Sequence, residues 1–269
     1  MALIALLIPL LFSVHQIFVR FGSREGDVMS GIYVSLLTST LIFLPSLSIP
    51  VLNGEFITYM LAAGVLHFFI ARICFYHSIS RIGANLSAPL AATRVFFAAI
   101  LGVILGEVLT LKIIAMSLLI FIGIVLISKP SGKADYIGIT LGILTGFFTA
   151  LSSFLVRFGN AVEYNPFFAI FIGFTISTIL MTPIALRNFS VKGGKWYIAA
   201  GMTVAVAHLI RYIVLRDLPV TVVEPISSAY PLFTVILTSI LLREREIFTF
   251  NSLLGTASIM TGIYLYYLQ

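Results

Sequence analysis

Three arginines, two histidines and one carboxylate stand inside stretches of the chain that are otherwise apolar. Arg94 falls near the middle of one such stretch, Arg72 and His67 lie within the stretch before it, Arg211 and His208 in a later one, and Glu224 begins the next. An ionisable group at the centre of a bilayer costs about 2.5–3.5 kcal/mol on insertion scales, so each of these side chains needs a cavity or a partner. Three guanidinium groups against one carboxylate leave an excess of fixed positive charge. A guanidinium holds a phosphate or carboxylate through two parallel hydrogen bonds, so the pattern points to a pocket for an anion or a zwitterion. The candidate contacts are Arg94, Arg72, His67, His208 and the neighbouring Tyr230. Arg211 sits close to a helix end, where it either snorkels to the interface or pairs with Glu224 across a short connection. Glu224, the one acidic residue placed inside a stretch, is the candidate for proton coupling or for that ion pair.

Prolines accompany these charges. Pro89 has no N–H to offer the carbonyl of Asn85, Pro225 leaves that of Thr221 free, and Pro231 that of Ser227. A bare carbonyl at membrane depth has to find a neighbouring helix, a water or a ligand, so Pro89, Pro225 and Pro231 mark candidate breaks or gates. Gly138, Gly142 and Gly146 recur every fourth residue and predict a packing stripe for close helix approach. His67, Arg72 and His77 are spaced by five, about 140° apart around an α-helix, and are not expected to share a liganding face. No metal site or cofactor is expected. The chain contains no phosphate-binding Gly-x-x-x-x-Gly-Lys loop, so ATP is not expected to drive it.

The elements that must carry these groups are membrane helices. Of the 269 residues, 60% are hydrophobic and 10% charged, and the mean hydropathy is +1.12, against roughly 25% charged residues in a soluble domain. Ten apolar stretches approach the about 20 residues that a crossing helix needs, namely 2–20, 28–45, 56–79, 85–106, 109–128, 135–157, 164–186, 196–215, 219–242 and 248–268. The first is expected to be a retained helix, since it lacks a basic leader and a small-residue cleavage site. Cys74 is the only cysteine, which excludes an internal disulfide. The net charge of +6 reflects topology, with no nucleic-acid partner expected. Ten basic residues, including Arg20, Arg81 and Lys129, fall in loops after odd-numbered stretches and three after even-numbered ones. By the positive-inside rule that pattern puts both termini outside.

The chain also repeats itself. Val19-Arg20-Phe21-Gly22 recurs as Val156-Arg157-Phe158-Gly159, Tyr76 as Tyr212, Pro89 as Pro225, Glu107-Val108-Leu109-Thr110 as Glu246-Ile247-Phe248-Thr249 and Gly123 as Gly262, at offsets of 136 to 139. By this alignment Arg72 corresponds to His208. The expected architecture is all-α, ten transmembrane helices as two five-helix repeats, 1–130 and 131–269. Five is odd, so the second repeat is expected to be inverted in the membrane, an arrangement suited to alternating access.

Ala88-Pro89, Gly106-Glu107-Val108-Leu109-Thr110 and Gly123, with Glu224-Pro225, Arg245-Glu246-Ile247-Phe248-Thr249 and Gly262, resemble the two EamA domains of the drug/metabolite transporter superfamily. The resemblance implies ten helices, a central cavity, and export or exchange of small metabolites. It also implies cytoplasmic termini, against the loop charges. The chain departs from the family at Ser13-Val14-His15-Gln16, where a Trp-Gly pair is common, and at Arg245, where Gly is usual. The expected function is thus a secondary transporter of a small organic anion or zwitterion, such as an amino acid, in the plasma membrane, with the small molecule and the lipid bilayer as partners. A lipid-headgroup flippase, a multidrug or cation exporter and an intramembrane lipid-modifying enzyme are the alternatives.

Overall fold

The computed structural model describes residues 2–127, 135–237, 240–241 and 250–267. Glu246-Ile247-Phe248-Thr249, Arg245 and Lys129 lie outside the described residues. Helices account for nearly all of the rest. After a helical turn at Ala2–Ala5 the α-helices are, in chain order, α1 (Leu7–Glu25), α2 (Val28–Phe43), α3 (Gly54–Ile82), α4a (Ala84–Ala92) and α4b (Arg94–Ile104), α5 (Leu111–Ile127), α6 (Tyr136–Val162), α7 (Pro166–Ala185), α8 (Gly194–Asp217), α9a (Val220–Ser228) and α9b (Tyr230–Leu237), and α10 (Phe250–Tyr267).

Short polar residues start several of them by accepting from otherwise orphaned N–H groups. Asp27 caps α2 through Ser30 N at 2.7 Å, and Asn165 caps α7, the corresponding helix of the second half, through Phe168 N at 3.1 Å. Asp135 caps α6 through Gly138 N at 2.9 Å, and that N–H, with Arg81 at 2.9 Å, holds its carboxyl below the usual range.

Among the described residues six helices are long and apolar enough to cross a membrane: Val28–Ser48, Gly54–Ile82, Leu86–Ile104 (through the break), Tyr136–Val162, Pro166–Asn188 and Gly194–Asp217. The shortfall from ten has local causes. His15, Gln16, Arg20 and Arg24 dilute the apolar run of α1, and α5 has 17 residues. Helix α9 is interrupted at Ala229, and the chain beyond Leu237 is only partly described. Large apolar side chains cover the outside of the bundle, such as Ile104 at 71% exposure and Leu111 at 81%, as an oily solvent permits.

The packing is paired. Helix α1 lies against α8 and α9b, while α6 lies against α3 and α4; α2 contacts α8 while α7 contacts α3; α2 meets α7, α4 meets α9, and α5 meets α10. Each contact in this set has its counterpart when helices one to five exchange places with helices six to ten. The close approaches need small residues. A Cβ on Gly138 would lie 2.7 Å from Ile82 Cγ2, on Gly142 2.7 Å from Leu90 Cβ, and on Gly146 2.9 Å from Arg94 N and 3.0 Å from Ala91 O. This stripe therefore seats α6 against the end of α3 and along α4, up to the point where α4 breaks.

Candidate functional site: a positively charged cavity between the halves

Both broken helices break at equivalent places. Four residues after Pro89, Thr93 N turns to Leu90 O at 3.2 Å, and four after Pro225, Ala229 N turns to Ile226 O at 3.2 Å. These are tightened i to i−3 turns, and each resets the direction of the residue that follows. Those residues are Arg94 and Tyr230, equivalents at an offset of 136. Arg94 Cζ lies 5.4 Å from the centre of the Tyr230 ring and 5.6 Å from that of Phe12. The crossed contacts mirror each other. Arg94 Nε approaches Glu224 Oε2, just before Pro225, at 3.1 Å, and the Tyr230 hydroxyl donates to the carbonyl of Ala88, just before Pro89, at 2.8 Å.

Helix α3 contributes through a different irregularity. Val65–Ala71 is a π-helical turn in which Arg72 N bonds to His67 O, five residues back. Widening the turn brings residues five apart onto one face. His67 and Arg72 therefore both line the cavity, which corrects the expectation from a regular α-helix that they point about 140° apart. His77 does not line it.

The cavity has about 520 Å³ of empty space, part of it continuous with the outside. Arg94, Arg72, His67, His208 and Tyr230 all line it. So do Phe12, His15 and Gln16 from α1, Phe75 and Tyr76 from α3, and Thr145 and Thr149 from α6. The α6 threonines went unnoticed in the sequence, although a polar residue every fourth position in an apolar run was the signal for them. Ser152 and Ser153 bond between helices instead, to Ala63 O at 3.0 Å and Glu224 Oε1 at 2.6 Å.

One wall rests on a buried charge network. Arg211 is fully buried, so it does not snorkel. It reaches Glu224 Oε1 through Nη2 at 2.8 Å and Nε at 3.1 Å, and Nη2 also donates to Ser153 Oγ. Its Nη1 lies 3.3 Å from His67 Nδ1. A guanidinium only donates, so that contact makes Nδ1 the acceptor and leaves the His67 proton on Nε2. Arg94 directs its Nε–H to Ser228 Oγ at 2.8 Å, so Glu224 Oε2 is its ion-pair neighbour without a hydrogen bond of its own. Arg94 Nη2 and His208 Nδ1 are buried without a partner. Arg72 is 5% exposed and donates to Ser35 Oγ at 3.3 Å, with its Cζ 5.7 Å from the Phe68 ring centre and 5.4 Å from that of Phe174. No carboxylate lies within salt-bridge distance of it among the described residues.

A second, smaller network closes the outer end of the α4–α9 contact. Glu107 accepts from Val220 N at 2.9 Å and Thr221 N at 3.0 Å, capping α9a from the other half. Arg157 Nε lies 3.5 Å from Glu107, and its Nη1 donates to Leu218 O at 2.6 Å. Two motifs recognised by their repetition, Gly106-Glu107 and Val156-Arg157, thus meet in space.

An all-helical, two-repeat membrane fold with a charged central cavity defines a transporter class. The chain belongs to the EamA-like transporter family, within the drug/metabolite transporter superfamily, and the family matches it twice, over residues 1–129 and 136–268. Members of that family are integral membrane transporters rather than enzymes. A solved structure described only as "Crystal structure of protein" is similar in fold, with a TM-score of 0.80 at 14% identity, covering 99% of this chain and 98% of that one. No curated protein sequence matches the chain.

Proposed function

We propose that the protein is a secondary transporter of the cell membrane that carries a small organic anion or zwitterion through this cavity by alternating access. In this reading all ten helical stretches span, 1–130 and 131–269 form two inverted repeats, and no ATP or cofactor takes part. Arg94 and Arg72 hold the anionic group, His67, His208 and Tyr230 complete its surroundings, and the breaks after Pro89 and Pro225 are where α4 and α9 bend between states. The observation that carries the reading is that the cavity wall presents two arginines and no carboxylate. Glu224, the nearest one, is spent on Arg211 and Arg94 behind the wall.

A thermal-shift screen of the purified protein against metabolites grouped by charge tests it, because a ligand at a hundred times its Kd stabilises the folded state by about 2.7 kcal/mol. Anions are expected to stabilise the wild type, and Arg94→Gln is expected to lose both that stabilisation and transport while expressing normally. Arg211 and Ser153 still satisfy Glu224 in that variant. Unchanged transport by Arg94→Gln, or stabilisation by cations and neutral amphiphiles alone, overturns the assignment in favour of a drug exporter or flippase.

A further inference from the structure

The composition of the cavity wall narrows the cargo, on the premise that it binds an anionic group as proposed above. We infer that the site is built for an anion bearing a flat ring and no ammonium group, an aromatic carboxylate in place of an amino acid.

Charge carries the first part. Of the fifteen residues lining the cavity, two are charged, and both are arginines. An α-ammonium beside the carboxylate has to leave water for an acceptor, and a charged donor without an anionic partner retains most of its desolvation cost. Glu224 cannot serve, since it is wholly buried, does not line the cavity, and already faces Arg211, Arg94 and Ser153. The acceptors that remain are all neutral: the hydroxyls of Thr145 and Tyr76, which donate to Leu141 O at 2.8 Å and Ser35 Oγ at 3.1 Å and keep their own lone pairs, and the unpartnered Nδ1 of His208. His15 Nδ1 faces the Ala200 carbonyl at 3.0 Å, which requires its proton there and leaves Nε2 as an uncharged acceptor. An ammonium in this cavity meets two like charges and no opposite one.

Ring content carries the second part. Phe12, Phe75, Tyr76 and Tyr230 line the cavity together with the imidazoles of His15, His67 and His208. Phe12 and Tyr230 already meet edge to face at 6.2 Å between centres, and His67 and His208 at 4.6 Å. A planar guest can extend such clusters by stacking or edge contacts, which adds attraction beyond area burial alone.

Four probes differing by one group each separate the terms. They are 3-phenylpropanoate, phenylalanine (the same skeleton with an α-ammonium), hexanoate (a carboxylate without a ring) and phenethylamine (a ring with only the ammonium). Binding is read by thermal shift and calorimetry on the full-length purified protein, alongside Arg72→Gln and Arg94→Gln. The expected result is a rise in Tm of about 5–10 °C with 3-phenylpropanoate at a hundred times its Kd. Its Kd is expected to be about ten- to a hundredfold below that of phenylalanine and clearly below that of hexanoate, and the shift should vanish in Arg72→Gln, which disturbs no carboxylate. Phenylalanine binding as tightly overturns the exclusion of an ammonium, and hexanoate binding as tightly overturns the ring requirement, both leaving the anion transporter intact. Failure of all four, with other anions active in the charge-grouped screen, likewise overturns this inference alone. Binding of phenethylamine alone sinks the anion reading itself.

Discussion

Glu224 stands where the charges of both halves converge. Its oxygens face Arg211 from α8 and Arg94 from α4b, and Ser153 from α6 donates to it, so one carboxylate ties three helices to α9a. Removing one partner from a buried pair strands the other, at about 3–5 kcal/mol. Glu224→Gln is therefore expected to melt well below wild type in detergent. Glu224→Gln combined with Arg211→Gln should recover most of the loss, and a single variant that melts like the wild type would mean the pair contributes no net stability. These residues were visible in the sequence because a charge in an apolar run has few explanations. Their pairing was only half visible. Arg211 with Glu224 followed from a short connection, whereas Arg94 with Glu224 depends on the turn at Thr93, which redirects the residue after it.

Pro89 and Pro225 pointed to the two elements that are broken, but the breaks fall four residues later, at Thr93 and Ala229, and Pro231 is the second residue of α9b, after the break. The π-turn of α3 was not legible, because no residue among Val65–Ala71 requires it and only the packed structure reveals the fifth-neighbour bond to His67 O. That one turn decided whether His67 and Arg72 share a wall. The glycine stripe of α6 was legible as packing, but the structure gives it a further duty, since Gly146 abuts the backbone of Arg94. A methyl group there would sit 2.9 Å from Arg94 N, and overpacking of this kind costs about 1–3 kcal/mol. Gly146→Ala is expected to lower Tm by several degrees and to weaken anion binding, because it shifts the arginine along with the helix. Gly142→Ala, which meets the side chain of Leu90 one turn away, should lower Tm with less effect on binding.

At the scale of the molecule, the duplication was legible because anchors such as Pro89 and Pro225 recur in order at offsets that drift only from 136 to 139. The contacts between helices follow the same exchange of halves. The number of crossing helices was less legible. A count of apolar stretches gives ten, while length and composition of the described helices give six, because His15, Gln16, Arg20 and Arg24 dilute α1, α5 has 17 residues, and the chain beyond Leu237 is only partly described. The two halves share a backbone plan but not a chemistry. The first supplies Arg72 and Arg94, the second His208, Arg211 and Glu224. A chain made of two first halves should therefore express as a membrane protein without anion-induced stabilisation, whereas the two natural halves produced as separate polypeptides should regain it when copurified. Binding by the doubled first half would show that Glu224 and Arg211 are dispensable.

The mirrored pairs at the breaks are chemically unequal. Where Arg94 meets Glu224, the equivalent pair is Tyr230 with the carbonyl of Ala88. An ancestor that assembled from two identical five-helix subunits would have owned either two arginine–carboxylate pairs or none. The present chain has one, so its two copies are unequal: one carries the charge, and the other gives a hydrogen-bonded aromatic support at the mirrored place.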